Sequence, residues 1–125
     1  MDDRFYPWGD GFDPSFANMK DSLPGRMQPA AVGAFPVDES PFGVRDMAGG
    51  MVDWCADGSE GDLPTLEPGE RAPPVATSGG HATYRVRRGG CWYFSESSLR
   101  STFRYIVIPS SRSPDLGFRL ARSYP

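Results

Sequence analysis

The protein is a chain of 125 residues with a formal net charge of −3, 13% of them aromatic, and carrying 15 glycines and 13 prolines. That length fits one domain with a modest core, and the aromatic content excludes a disordered chain, which lacks the apolar surface to fold. Residues 1–80 hold 14 acids against five bases and residues 81–125 eight bases against two acids, an asymmetry that predicts internal pairing. The bases of the second part are arginines at scattered spacing with no basic run, so a nucleic-acid partner is not expected.

In chain order, Met1-Asp2-Asp3-Arg4 leads into no apolar run and so reads as no signal peptide. No later stretch approaches the ~20 apolar residues that span a bilayer. The prediction is a soluble, cytoplasmic protein with no membrane partner. Phe5-Tyr6-Pro7-Trp8-Gly9-Asp10, followed by Phe12 and Phe16, is an aromatic loop interrupted by Pro7, Gly9, Gly11 and Pro14. Its rings need a surface to pack on, supplied by this chain or by a partner.

Val32-Gly33-Ala34-Phe35-Pro36 reads as a short extended piece, and Ser40-Pro41-Phe42-Gly43-Val44 as a turn. Gly49-Gly50 marks a tight turn before a buried strand, Met51–Cys55, in which Asp53 is the charged position. Residues 56–80, rich in Gly, Pro and acids, read as a long surface loop. A strand then begins at Thr83-Tyr84-Arg85-Val86, and one short helical turn is expected near Ser95–Leu99. The cysteines, Cys55 and Cys91, each beside a tryptophan, suit buried thiols better than a disulfide framework.

The segment from Arg85 to Arg119 organises the rest. Short apolar strands flank a turn-rich excursion, and arginines run through it, each able to tie several carbonyls or carboxylates together.

The order of these pieces resembles the formylglycine-generating enzyme family, the sulfatase-modifying factor domains. The resemblance is carried by Tyr6-Pro7-Trp8-Gly9, by Ala17-Asn18, by Pro41-Phe42-Gly43 and Asp46 to Trp54, by Arg85-Val86-Arg87-Arg88-Gly89-Gly90-Cys91-Trp92, and by Leu99-Arg100-Ser101, Pro109 to Arg112 and Gly117-Phe118-Arg119. It implies an α+β, loop-rich variant of the C-type lectin fold, with short twisted antiparallel strands and little helix. The family domain is longer than this chain, so the resemblance implies a single domain over 1–125 that corresponds to the C-terminal half. Another domain or chain is then expected to supply the remainder.

Enzyme members of the family oxidise a substrate cysteine to formylglycine with a cysteine pair that binds copper(I), a soft ion suited to thiolates. Carried onto this chain, the first position is Phe94, and the second falls between Glu96 and Leu99, where no cysteine occurs. Cys91 stands at the family's serine position, readable as a displaced ligand or as a buried small side chain. Copper is therefore not expected. The family's Asn-Val-Trp-Glu becomes Gly50-Met51-Val52-Asp53, which removes the cleft tryptophan. His81 is the one histidine, so a three-histidine iron site, as in the ergothioneine-type sulfoxide synthases, cannot be built.

The resemblance also implies calcium. Carboxylates of Asp46 and Asp53 with carbonyls of Gly49 and Met51 would offer the oxygen shell that hard cations take, and a weaker second loop matches Asn18 and Met19. The alternative is that Asp46 caps a turn and Asp53 pairs with an arginine such as Arg88. The remaining expectation is a non-catalytic recognition surface for a protein or small ligand over 91–113. It would use Cys91, Trp92, Tyr93, Phe94, Ser95, Ser97, Tyr105, Val107 and Ser110. Aromatics and serines on a rigid scaffold suit binding, and lectin-like variable proteins place their diversified residues in this region. Against it stands a plain core strand at 105–108 with a serine-rich loop; the competing class is a divergent oxidase or an active site completed by another chain.

Overall fold

A computed structural model describes residues 3–61 and 82–122. Four strands form one sheet: β1 (Val52–Ser59), β2 (Tyr84–Arg88), β3 (Arg104–Val107) and β4 (Leu116–Gly117), in spatial order β3-β2-β1-β4. Among the described residues helix is confined to the 3-10 turns Pro14–Phe16 and Glu96–Leu99, the second of them where the helical turn was expected. Among the described residues no helix is long and apolar enough to cross a membrane.

In β2, Val86 is the buried residue, and Tyr84, Arg85, Arg87 and Arg88 around it are half-buried. β2 pairs antiparallel with β3 from Arg85↔Val107 to Arg88↔Arg104. The sheet is not wholly antiparallel as expected. β4 runs parallel to β1, Val52 facing Leu116 and Asp53 facing Gly117, with the Val52 amide donating to the Asp115 carbonyl at 2.8 Å.

β1 also differs from its expected form. It continues to Ser59 where the sequence reading ended it at Cys55, because Gly58 and Ser59 pair with Arg85 and Tyr84 and the Arg85 guanidinium donates to the Ala56 carbonyl at 2.7 Å. Between Trp54 and Gly58 the ladder slips, since β1 advances further than β2 over the same stretch; this bulge carries Cys55. Of Met51–Cys55 only Val52 is fully buried. Residues 62–81, including His81, lie outside the described residues, and the Glu60 carboxylate joins their two flanks by accepting from the Thr83 hydroxyl at 2.8 Å. Residues 32–36 form turns and not an extended piece: Gly33 has φ +73°, and the Ala34 amide donates to the Ala31 carbonyl at 3.1 Å.

The core beside the sheet is built from Tyr6, Ala17, Met19, Ala48 and Leu99, with Trp8 and Phe12 packed on it. The aromatic loop at the start of the chain therefore packs within its own chain. Tyr6 stacks on Trp8 at 5.1 Å between ring centroids and its hydroxyl donates to Glu96 at 2.7 Å. The glycines before β1 and after β2 allow close approach of backbones. A Cβ at Gly49 would stand 2.7 Å from the Asn18 backbone, and one at Gly90 would stand 2.7 Å from the Ala48 carbonyl oxygen.

Candidate functional site

Two polar centres flank the start of β1. The first is Asp38, 1% exposed, whose carboxylate accepts from the amides of Met47, Ala48 and Gly49 at 2.9 to 3.2 Å, while its carbonyl accepts from Asp46 N at 2.8 Å. Burial pushes its pKa up, and the three amides pull against that. Asp38 shapes the 46–49 loop and was not singled out by the sequence.

The second centre is Arg119. Its guanidinium donates to Asp53 Oδ2 at 2.5 Å, to the Arg45 carbonyl at 2.7 Å and to the Asp46 carbonyl. The Asp46 side chain accepts from the Gly33 amide at 2.9 Å, and Asp46 adopts φ +54°, a left-handed conformation that aspartate tolerates better than most residues. Asp46 and Asp53 do come together, on one cleft of about 480 Å³ with Asn18, Gly49 and Met51, but around a guanidinium. The arginine paired with Asp53 is Arg119 and not Arg88, whose guanidinium reaches the Ser101 carbonyl at 2.9 Å.

The groups that the resemblance assigns to calcium are engaged within the chain here. Asp53 is neutralised by Arg119, and the Gly49 carbonyl accepts from the Met51 amide at 3.1 Å. At the second loop the Met19 carbonyl accepts from the Ser22 amide and hydroxyl, the latter at 2.8 Å, and the Met19 side chain lies in the core. Among the described residues no three or more His, Cys, Asp or Glu cluster as metal ligands do.

The 91–113 region divides by burial. Cys91 is fully buried; Trp92, Phe94, Tyr105 and Val107 are half-buried; Tyr93, Ser95, Ser97 and Ser110 are exposed. Cys91 thus cannot meet a ligand from solvent. Burial pushes its thiol up to about 11, against the opposing pull of the Tyr93 amide, so it stays protonated at neutral pH and is a poor nucleophile and ligand. Rings pack edge to face from Trp92 through Tyr93 to Phe94 at 4.7 and 5.0 Å, and Phe94 meets Tyr105 at a tilt at 5.5 Å. Val107 pairs with Arg85 at the far end of β3, and Ser110 lies in the exposed turn beyond it.

Asp115, 2% exposed and not foreseen in the sequence, underlies this face, accepting from the Ser113 hydroxyl. Burial first and then the Asp115 carboxylate push the Tyr93 phenol up to about 12. The scaffold is therefore a small sheet carrying an aromatic face, with its charged loops tied by buried or paired carboxylates.

The chain belongs to the sulfatase-modifying factor family: residues 1–124 match the family described as Sulfatase-modifying factor enzyme 1-like domain. It is 34% identical over 119 residues to a serine/threonine-protein kinase, pkn1, of Chlamydia caviae, covering 94% of this chain and 18% of that protein. It is 33% identical over 122 residues to the hercynine oxygenase of Mycolicibacterium thermoresistibile, covering 94% of this chain and 26% of that enzyme. Among solved structures, PvdO from Pseudomonas aeruginosa aligns with TM-score 0.65 and 26% identity over 90% of this chain and 42% of that one. Treponema denticola variable protein 1 aligns with TM-score 0.61 and 25% identity over 83% of this chain and 34% of that one. The chain thus spans about a quarter or less of the curated relatives' length.

Proposed function

We propose that this domain is a non-catalytic recognition module that binds a protein or small ligand through the aromatic face of residues 92–110. The observation that carries the reading is chemical: Phe94 stands where the resemblance puts the first copper-binding cysteine, and the nearby thiol, Cys91, is fully buried with its pKa pushed up to about 11. A soft metal needs accessible thiolates, and this segment offers none at neutral pH. The likeness to a variable protein and to a kinase of several times this length supports a binding role within a larger assembly.

The test is incubation with copper(I) and a Cys-x-Pro-x-Arg peptide, read by mass spectrometry for loss of the thiol and gain of an aldehyde. Unchanged peptide is expected; formation of formylglycine overturns the reading. Similarity to hercynine oxygenase favours a second reading, in which the domain contributes one wall of an active site completed by another domain or chain. Activity that appears only on adding that second component would establish it.

A further inference from the structure

On the side of the core where the Ser40–Val44 turn meets the segment after the 3-10 turn Glu96–Leu99, the chain forms a cleft of about 490 Å³. Its apolar wall is Phe42, Val44 and Met47, which are 91%, 41% and 42% exposed. Its charged wall is Arg4, Arg88 and Arg100, and no Asp or Glu lines it, although the chain as a whole is acidic.

Two of these arginines, Arg88 and Arg100, are only partly employed. Arg88 makes one hydrogen bond, to the Ser101 carbonyl at 2.9 Å, and Arg100 lies over the Phe5 ring at 5.4 Å and hydrogen-bonds the Tyr6 hydroxyl. Neither has a carboxylate ion-pair partner among the described residues. A guanidinium carries five donors in a planar fork, so both retain capacity for a bidentate carboxylate. Arg88 is also held partly away from water, which pushes its pKa down and raises the gain from an arriving anion. Large apolar side chains left exposed beside such a cluster mark an interaction surface.

We infer that this cleft binds an acidic, apolar segment of a protein partner, its carboxylates on Arg88 and Arg100 and a bulky side chain against Phe42, Val44 and Met47. Charge complementarity names the acidic element. Phe42, 91% exposed at the edge of the cleft, favours a peptide lying across it over a small molecule, which a pocket normally encloses on most sides. The inference does not depend on the proposed recognition face, and either result of the copper assay leaves it standing.

The test is fluorescence anisotropy with a fluorescein-labelled peptide alternating phenylalanine or leucine with aspartate. Saturable binding is expected, weakening as salt rises from low to physiological strength. Phe42→Asp raises Kd by about tenfold or more with melting temperature unchanged, and Arg100→Glu raises it at least as much, whereas Val32→Asp, at a side chain 94% exposed on the other cleft, leaves Kd unaltered. No binding at millimolar protein, equal binding of the peptide with lysine in place of aspartate, or indifference to both substitutions overturns the inference. Binding of octanoate but not of the peptide reassigns the cleft to a small carboxylate, and a dimer broken by Phe42→Asp reassigns it to a second copy; each also overturns it.

Discussion

The loop before β1 and the face after β2 are both rich in polar groups, yet they use them oppositely. Around Asp38, Asp46, Asp53 and Arg119 the polar groups are spent on one another and on backbone amides. Around Tyr93, Ser95, Ser97 and Ser110 they face solvent. The first region holds a shape, and the second presents one. Charge in a sequence therefore says little about a binding site until its partners are known.

That contrast can be broken most severely at Asp38. Asp38→Asn puts an amide NH2 against the backbone N–H groups of Met47 to Gly49 and leaves buried donors without an acceptor, at a cost of about 3 kcal/mol. Thermal or urea unfolding checks it; an unchanged midpoint would show that the carboxylate does not organise the loop. Gly90→Ala comes next, since its Cβ would meet the Ala48 carbonyl at 2.7 Å and the Leu99 side chain at 3.0 Å. Backbone cannot yield cheaply there, and a loss of about 2 kcal/mol is expected by the same measurement.

Arg119→Ala is smaller, about 1 kcal/mol, because the Arg119 and Asp53 side chains are 39% and 21% exposed and water screens the pair. Calcium and chelator are expected to leave the melting temperature of the native protein unmoved, since an ion that binds only the folded state must raise it. A rise with calcium would restore the metal site. The mildest perturbation is pH. The Cys91 thiol titrates at about 11 in the fold against 9.0 in an exposed chain, so the unfolded state loses its proton first and stability falls as pH rises from 9 towards 11. Cys91→Ala flattens that part of the pH profile, and native Cys91 resists alkylation at pH 8.

The family, the scarcity of helix and the helical turn near residue 96 were legible in the sequence, because they rest on motif order and on local glycine and proline chemistry. The Asp38 centre was not, because its partners are backbone amides 9 to 11 residues away, which leave no trace in residue type. Asp115 was hidden for a similar reason: nothing in Ser-Pro-Asp-Leu distinguishes a buried carboxylate from a turn residue. The parallel pairing of β4 was hidden too, since two residues carry no directional pattern.

By itself the sequence determined which side chains exist: the missing cysteine pair, the arginine-rich second part and the aromatic loop that needed a surface. Tertiary structure alone decided how they are spent, pairing Asp53 with Arg119, enclosing Cys91 and leaving Arg88 and Arg100 beside an exposed Phe42. The physical reason is that a charge or a thiol acquires its chemistry from its distance to neighbours and to water, and those distances are set between segments far apart in the chain.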